Sequence, residues 1–198
     1  MLTPPSAYIG RFAPSPSGPL HFGSLIAAVG SYLQAKSQRG QWLVRMEDID
    51  TPRMVPGIDS DILRTLEQFG LLWDGDVLYQ SQRLKRYNEI FSHLQQQQLI
   101  YACQCSRKQI SAMGGTYDNR CGALQLTADN LAWRLRSDNV NTHFTDLLFG
   151  RQQITTQLAQ EDYIIKRRDG LFAYQLVVVA DDIDQGITEV IRGADLLP

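Results

Sequence analysis

The fold is decided by the stretch Arg11-Phe12-Ala13-Pro14-Ser15-Pro16-Ser17-Gly18-Pro19-Leu20-His21-Phe22-Gly23-Ser24. It follows a short β-like run at residues 8–12 and leads into an apolar run at residues 25–29, which we interpret as a helix. A strand, a loop rich in proline and glycine, and a helix N-terminus leave backbone N–H groups and the positive end of the helix dipole free to bind an anion. The stretch therefore predicts a phosphate-binding loop.

The next two segments extend this loop into a parallel unit. Apolar residues recur at helical spacing from residue 25 until Gly40, which ends the helix. Residues 41–47 are apolar enough for a strand that is buried on both faces, as parallel strands are. Because the right-handed crossover makes the two strands parallel, we expect the loop and Glu47 at the same edge of the sheet.

Further helices and strands are predicted along the rest of the chain. Ser81 is expected to cap a helix that continues to Leu94. The other predicted elements are a helix at residues 59–69, strands at residues 77–79, 131–136 and 142–146, a hairpin of residues 163–167 and 171–174, and a return strand at residues 186–193. From about residue 100 the chain becomes rich in predicted loops, which indicates an inserted subdomain.

The composition limits the possible partners and compartment. A formal net charge of −2 over 198 residues argues against binding nucleic acid through bulk charge, although a local basic patch is compatible with it. No apolar run approaches the roughly 18 residues of a membrane span, and no signal-peptide pattern begins the chain. We therefore expect a cytoplasmic protein without a membrane partner.

The three cysteines predict a metal site. Cys103, Cys105 and Cys121 supply three thiolates, one ligand short of a tetrahedral zinc centre. His143 is one candidate for the fourth ligand. The competing interpretation is three reduced cysteines in a small apolar subdomain. A zinc ion here would be structural, because the inserted segment is too small to form a core of its own.

The opening loop resembles the HIGH signature of class I aminoacyl-tRNA synthetases, in the version that belongs to the glutamyl branch. Four further segments resemble the same branch in the same order, so that the resemblance extends from Tyr8 to the end of the chain. They are Arg45-Met46-Glu47-Asp48-Ile49-Asp50, Gly70-Leu71-Leu72-Trp73-Asp74, Tyr79-Gln80-Ser81-Gln82-Arg83 and Ile187-Thr188-Glu189-Val190-Ile191-Arg192-Gly193-Ala194-Asp195.

This resemblance implies an α/β fold with the Rossmann-like parallel sheet of class I synthetases and an inserted α+β subdomain that contains zinc. Residues 8–100 would form the first part of the catalytic domain, residues 101–160 the inserted subdomain, and residues 161–198 the return to the catalytic domain. No segment similar to the second, KMSKS signature of the class is present. We therefore expect that the chain ends before the fold is complete and that these residues alone have little activity.

Within the glutamyl branch, the segment Gly23-Ser24-Leu25-Ile26-Ala27-Ala28 and the cysteine pattern resemble the glutamyl-queuosine subfamily. Its members are shortened paralogues of glutamyl-tRNA synthetase that lack the anticodon-binding domain. The resemblance implies a monomeric ligase that activates L-glutamate with ATP, which would carry Mg²⁺, and transfers it to queuosine at the wobble position of tRNA(Asp). The alternatives are an ordinary or truncated glutamyl-tRNA synthetase, or a non-catalytic nucleic-acid-binding fragment of the same fold.

The resemblance also implies site residues. His21, Gly23 and Ser24 would face the nucleotide, with Ser24 in the place of the second histidine of the full signature. Glu47 would bind the ammonium group of glutamate, and Tyr117 would complete the zinc site with the three cysteines. The glutamate pocket as a whole would comprise Arg11, Phe12, Ala13, Pro14, Ser15, Glu47, Tyr174 and Arg192, the two arginines binding the carboxylates.

Overall fold

The computed structural model describes residues 7–127, 130–137, 141–154 and 161–194. They fall into two compact units: the described parts of Met1–Lys85 and Val179–Leu197 form the first, and those of Arg86–Val178 form the second. These limits differ from the boundaries at residues 100 and 160 that we expected for an inserted subdomain. In both divisions the chain leaves the first unit and later returns to it.

The first unit contains the predicted parallel sheet. Strands β1 (Ile9–Phe12), β2 (Gln41–Met46) and β3 (Leu78–Tyr79) lie in the order β1-β2-β3, and both pairs are parallel. Helix α1 (Phe22–Ser37) connects the first two strands, and α2 (Ile58–Gln68) lies between β2 and β3 in the chain. The α/β fold class and the βαβ unit are therefore confirmed.

Strand β2 supplies the centre of the core. Trp42, Val44 and Met46 are fully buried, as the apolar run predicted, and they pack in one cluster with Ala28 and Ala35 of α1. Burying each such large side chain stabilises the fold by about 1.5–3 kcal/mol. The indole N–H of Trp42 donates to the Ser31 hydroxyl at 2.9 Å, so the one polar atom of this side chain is also satisfied.

The third helix begins differently from the prediction. A 3₁₀ turn, Gln80–Arg83, precedes α3 (Leu84–Gln96), and Ser81 lies within that turn. Its hydroxyl donates to Asp48 at 2.6 Å and its backbone N–H donates to the same carboxylate at 2.8 Å. The prediction that Ser81 caps the helix is wrong, because its hydroxyl is bound to an acid that follows β2.

The second unit is built on antiparallel strands. Strand β4 (Ile100–Cys103) pairs with β5 (Ala132–Leu135), and helix α4 (Arg107–Ala112) lies between them in the chain. A separate hairpin consists of β6 (His143–Asp146) and β7 (Gly150–Gln153). Strand β8 (Ile164–Lys166) then returns to pair with β5. The predicted strands at residues 131–136 and 142–146 are therefore confirmed.

Two predicted strands near the end of the chain are not formed. The second arm of the hairpin is reduced to one bridge between Lys166 and Phe172, and Tyr174 begins helix α5 (Tyr174–Asp184). The expected return strand at residues 186–193 approaches β1 at Thr188, whose backbone N–H donates to the Ile9 carbonyl at 2.9 Å. The Thr188 hydroxyl accepts the Ile9 N–H at 3.0 Å. In a continuing strand this N–H would donate to a backbone carbonyl, so the ladder stops here.

Among the helices that the structure describes, none is long and apolar enough to span a bilayer.

Candidate active site and metal centre

The loop between β1 and α1 is fixed against the residues that follow β2. The backbone N–H of Glu47 donates to the Pro14 carbonyl at 2.9 Å, and that of Val55 donates to the Pro16 carbonyl at 3.0 Å. The structure thus brings the loop and Glu47 to one edge of the sheet, as expected for parallel strands. Phe12 stacks on Trp42 in the core, with ring centroids 6.3 Å apart, which leaves only its backbone for a ligand.

His21 caps the N-terminus of α1. Its Nδ1 atom accepts the backbone N–H of Ser24 at 3.2 Å, and its Nε2 atom lies 3.0 Å from the Ser24 hydroxyl oxygen. Gly23 makes room for this ring, since a Cβ atom there would lie 3.1 Å from an imidazole carbon. The first N–H groups of a helix have no carbonyl of their own helix to bind. The arrangement therefore offers an imidazole, a hydroxyl and backbone donors at one exposed helix end.

Two buried arginines share one carboxylate of α5. The Arg11 guanidinium binds Asp182 through Nε at 3.2 Å and through Nη2 at 3.3 Å. The Nη1 atom of Arg45 donates to the same carboxylate at 2.7 Å and to the Gln185 amide oxygen at 2.9 Å. The Arg45 side chain is fully buried, so Asp182 balances a charge that water cannot reach. This network fixes the orientation of Arg11 beside the loop.

Glu47 is a second acid in this network. It is only 8% exposed, and its carboxylate lies 3.5 Å from the second terminal nitrogen of Arg45. Burial raises the pKa of Glu47 to about 7, although the charges of Arg45 and Arg11 lower it in part. A carboxyl group with this pKa changes its charge near neutral pH. It is suited to bind a cation that enters the site and stabilises the ionised form.

The sequence analysis missed the acids that hold this site together. Asp182 binds both buried arginines, and the neighbouring Asp181, fully buried, accepts from the Gln80 amide at 2.8 Å and from Arg83 Nε at 2.7 Å. The signal was present as two adjacent acids after an apolar run at residues 176–180. Their partners lie about 100 or more positions earlier in the chain, so periodicity could not identify the pairs.

For Tyr174 and Arg192, the predicted role in the glutamate pocket stays a prediction. Tyr174 is the first residue of α5, belongs to the second unit and has a side chain that is 44% exposed. Arg192 is exposed in the extended segment after Thr188. Of the loop residues, Pro14 is buried and Ser15 is exposed, so the Ser15 hydroxyl can reach a ligand.

The three cysteines form the expected cluster in the second unit. Their sulfur atoms all lie within 4.8 Å of one another, and those of Cys105 and Cys121 are 3.6 Å apart. Tetrahedral zinc with Zn–S bonds of about 2.3 Å needs sulfur atoms roughly 3.8 Å apart. The donor set and its spacing therefore fit a zinc ion with only small adjustments.

Tyr117, the predicted fourth ligand, lies beside the three cysteines. Its ring is 2% exposed, its oxygen accepts the Cys121 backbone N–H at 3.0 Å, and it is hydrogen-bonded to the Cys121 and Cys103 side chains. His143 is exposed on β6 and is not part of the metal-ligating group that the described residues form. The geometry around the cluster therefore favours the phenol over the imidazole.

The electrostatics of the cluster suit a cation. Burial, together with the neighbouring Cys121 and Cys103 side chains, raises the pKa of the Cys105 thiol to about 12. Burial and hydrogen bonds to the cysteines also raise the pKa of Tyr117. Burial likewise opposes ionisation of Cys121, but hydrogen bonds from Tyr117 and other groups lower its pKa overall. A bound metal cation would reverse these upward shifts, because it favours the deprotonated form of each ligand.

Comparison with known proteins identifies the fold. Residues 9–198 match the family model described as tRNA synthetases class I (E and Q), catalytic domain. The glutamyl-Q tRNA(Asp) synthetase of Pectobacterium atrosepticum is 62% identical over 190 residues, which are 96% of this chain and 59% of the relative. That of Vibrio vulnificus is 63% identical over 191 residues, 96% of this chain and 62% of the relative. The chain thus spans about 60% of the length of these curated relatives.

A solved structure agrees with the sequence match. The crystal structure of a glutamate tRNA ligase from Elizabethkingia meningosepticum, in complex with its amino acid, superposes with a TM-score of 0.83 at 25% identity and covers 98% of this chain and 45% of that one. The family match and the structural match therefore indicate the same class of protein. The chain belongs to the class I tRNA synthetases of the E and Q type and has the fold of their catalytic domain.

Proposed function

We propose that this chain activates L-glutamate with ATP and transfers it to queuosine at the wobble position of tRNA(Asp). The observation that carries the activation step is the Glu47, Arg11 and Asp182 network beside the capped end of α1. Relatives that are about 60% identical over 96% of the chain are named glutamyl-Q tRNA(Asp) synthetases, which supports queuosine of tRNA(Asp) as the acceptor. We also propose that the protein acts as a monomer in the cytoplasm.

The glutamate site uses the charges of this network. The ionised Glu47 binds the ammonium group of the substrate. Two nitrogens of Arg11 already bind Asp182, so its remaining terminal nitrogen, Nη1, is directed to a substrate carboxylate. Arg192 binds the other carboxylate, and Ser15 supplies a hydroxyl donor. The pocket thus complements one positive and two negative charges.

The end of α1 binds the nucleotide. In the reaction a glutamate carboxylate oxygen attacks the α-phosphorus of ATP, and pyrophosphate leaves with the pair of electrons of the broken P–O bond. Backbone N–H groups at the start of α1, together with His21 and the Ser24 hydroxyl, stabilise the charge that develops on the phosphate oxygens. Mg²⁺ would arrive with ATP and neutralise part of the same charge.

The cysteine cluster binds structural zinc. Cys103, Cys105, Cys121 and Tyr117 hold the ion and tie β4 to the loop that follows α4. The ion would have a structural role, because the apolar core of this segment is small and a metal centre would stabilise it.

The acceptor is tested with a chimaeric enzyme in which this chain replaces the matching residues of the Vibrio vulnificus relative. The chimaera and the relative are given labelled glutamate, ATP and one of three acceptors: tRNA(Asp) with queuosine, the same tRNA without it, or tRNA(Glu). We expect acid-precipitable label only on the queuosine-bearing tRNA. Label on tRNA(Glu) would instead identify an ordinary glutamyl-tRNA synthetase, an activity that the similarity to the glutamate tRNA ligase also supports. Equal label on tRNA(Asp) with and without queuosine would refute queuosine as the acceptor.

A further inference from the structure

A cavity of about 400 Å³ lies in the second unit, beside the turn that follows β8. Among the described residues, its lining includes three consecutive cations, Lys166, Arg167 and Arg168, and one acid, Asp169. The whole chain carries a formal net charge of −2. The cavity is therefore a local concentration of positive charge on a protein that is acidic as a whole.

Two of the three cations are held in place without being neutralised. The Lys166 ammonium lies 4.7 Å from the centre of the Phe91 ring and 5.0 Å from that of Phe172, so aromatic faces orient it. Arg168 donates from Nη2 to the backbone carbonyl of Gln104. Among the described residues neither forms an ion pair, whereas Arg167 is bound to Asp169 at 2.5 Å. Two positive charges that have no acidic partner among the described residues thus line the cavity.

The backbone below these side chains is well ordered by hydrogen bonds. The turn is closed by the Arg167 N–H, which donates to the Leu171 carbonyl at 2.8 Å, and Gly170 adopts the positive φ of 85° that the turn requires. Trp133 of β5 pairs with Lys166 and lines the same cavity. Cations from a fixed turn beside an indole are typical of sites that bind phosphates and stack bases.

We propose that this cavity binds a phosphodiester of an RNA strand, with Lys166 and Arg168 contacting the phosphate and Trp133 contacting a neighbouring base. The proposal rests on the proposed function only in naming the RNA as the tRNA substrate. Gln104 lies between Cys103 and Cys105, so the cysteine cluster fixes the carbonyl that orients Arg168. The cluster therefore also positions a phosphate-binding side chain.

The test measures binding of fluorescently labelled tRNA(Asp) to the 198-residue chain by anisotropy between 50 and 200 mM KCl. Arg168→Gln is the primary variant because its side chain is exposed, and Lys166→Gln is the second. Lys108→Gln on α4 is the matched control, since it removes the same charge from an exposed position of the same unit. Thermal melting confirms that each variant is folded.

Each cavity variant should weaken tRNA binding about three- to tenfold and lower the slope of log K against log salt by about 0.7, the value for one single-strand phosphate contact. The control should keep both values within error. Affinity and slope equal to those of the unmodified chain in both cavity variants would overturn the proposal. Loss of binding to a fluorescent ATP analogue with unchanged tRNA binding would also overturn it, because the cavity would then bind a nucleotide.

Failure of the proposed function gives a different result. If the chimaera shows no glutamate-dependent ATP–pyrophosphate exchange while the cavity variants still weaken tRNA binding, the RNA site stands and the activation chemistry does not. If the unmodified chain binds no tRNA at 50 mM KCl, the cavity proposal is refuted, whereas the proposed acceptor is decided by the chimaera alone.

Discussion

Replacing Asp182 with alanine would remove the one carboxylate that both buried arginines share. The Arg45 side chain is fully buried and that of Arg11 is 8% exposed, so neither guanidinium can recover its hydration after the change. Removing one partner of a buried ion pair costs about 3–5 kcal/mol. At about 2–4 °C per kcal/mol for a chain of this size, we expect the melting temperature of Asp182→Ala to fall by about 6–20 °C.

The assay is thermal melting followed by far-UV circular dichroism, with Asp61→Ala as the matched control. Asp61 forms an ion pair with Arg64 at 2.9 Å, but these side chains are 54% and 63% exposed, respectively. Such a surface pair contributes less than about 1 kcal/mol, so the control should lose less than about 4 °C. Asp182→Asn keeps the shape of the side chain and one acceptor oxygen. Its loss of melting temperature should therefore lie between those of Asp182→Ala and Asp61→Ala.

Equal losses for Asp182→Ala and Asp61→Ala would refute the argument that Asp182 balances buried charge. The result would mean that water reaches Arg45 and Arg11 in solution. The orientation of Arg11 for a substrate carboxylate would then lose its structural basis.

Four further predictions concern His21, Glu47, Arg192 and the cysteine cluster, and they use the chimaeric enzyme, melting of the chain or its metal content. His21→Ala should slow glutamate-dependent ATP–pyrophosphate exchange at least about tenfold, while His21→Asn should lose exchange but keep the helix cap and the melting temperature. The KM for glutamate should fall as the pH rises through the pKa of Glu47, about 7, because only the ionised form binds ammonium; Glu47→Gln should remove this dependence. Since the folded state holds that proton more tightly than the unfolded chain, the free energy of unfolding should fall as the pH rises from about 4.5 to 7, and Glu47→Gln should flatten that slope in melts at several pH values. Arg192→Lys should raise the KM for glutamate about tenfold, because lysine cannot form the planar two-point contact. The chain should bind about one zinc by mass spectrometry; after dialysis against a chelator, Tyr117→Phe should retain less and His143→Ala the same amount. Values equal to those of the unmodified protein in the His21, Glu47, Arg192 or Tyr117 variants would remove that residue from its proposed role.

The sequence predicted the features that depend on local pattern. The dense apolar run of β2 indicated a strand buried on both faces, and the short crossover through α1 required that it lie parallel to β1. Those two facts place Glu47 beside the opening loop without any knowledge of side-chain contacts. The close spacing of Cys103 and Cys105 likewise indicated a cluster that Cys121 completes.

The features that sequence reasoning did not predict depend on long-range contacts. Residues 186–193 contain several β-branched residues, which are typical of a strand, but the Thr188 hydroxyl takes the bond that a second ladder residue would need. Ser81 has the pattern of a helix cap, but Asp48 binds its hydroxyl. The sequence analysis assigned no role to Asp182, because nothing local indicates that Arg11 lies beside it in the fold.

The position of the transferred glutamate tests the central claim most directly. tRNA(Asp) that bears queuosine is incubated with the chimaera, ATP and labelled glutamate, and nuclease digestion then separates the anticodon fragment from the 3′ end. We predict that the label is found on the queuosine nucleoside of the anticodon fragment. Label on the 3′-terminal adenosine would contradict the account and identify the chain as part of an ordinary glutamyl-tRNA synthetase.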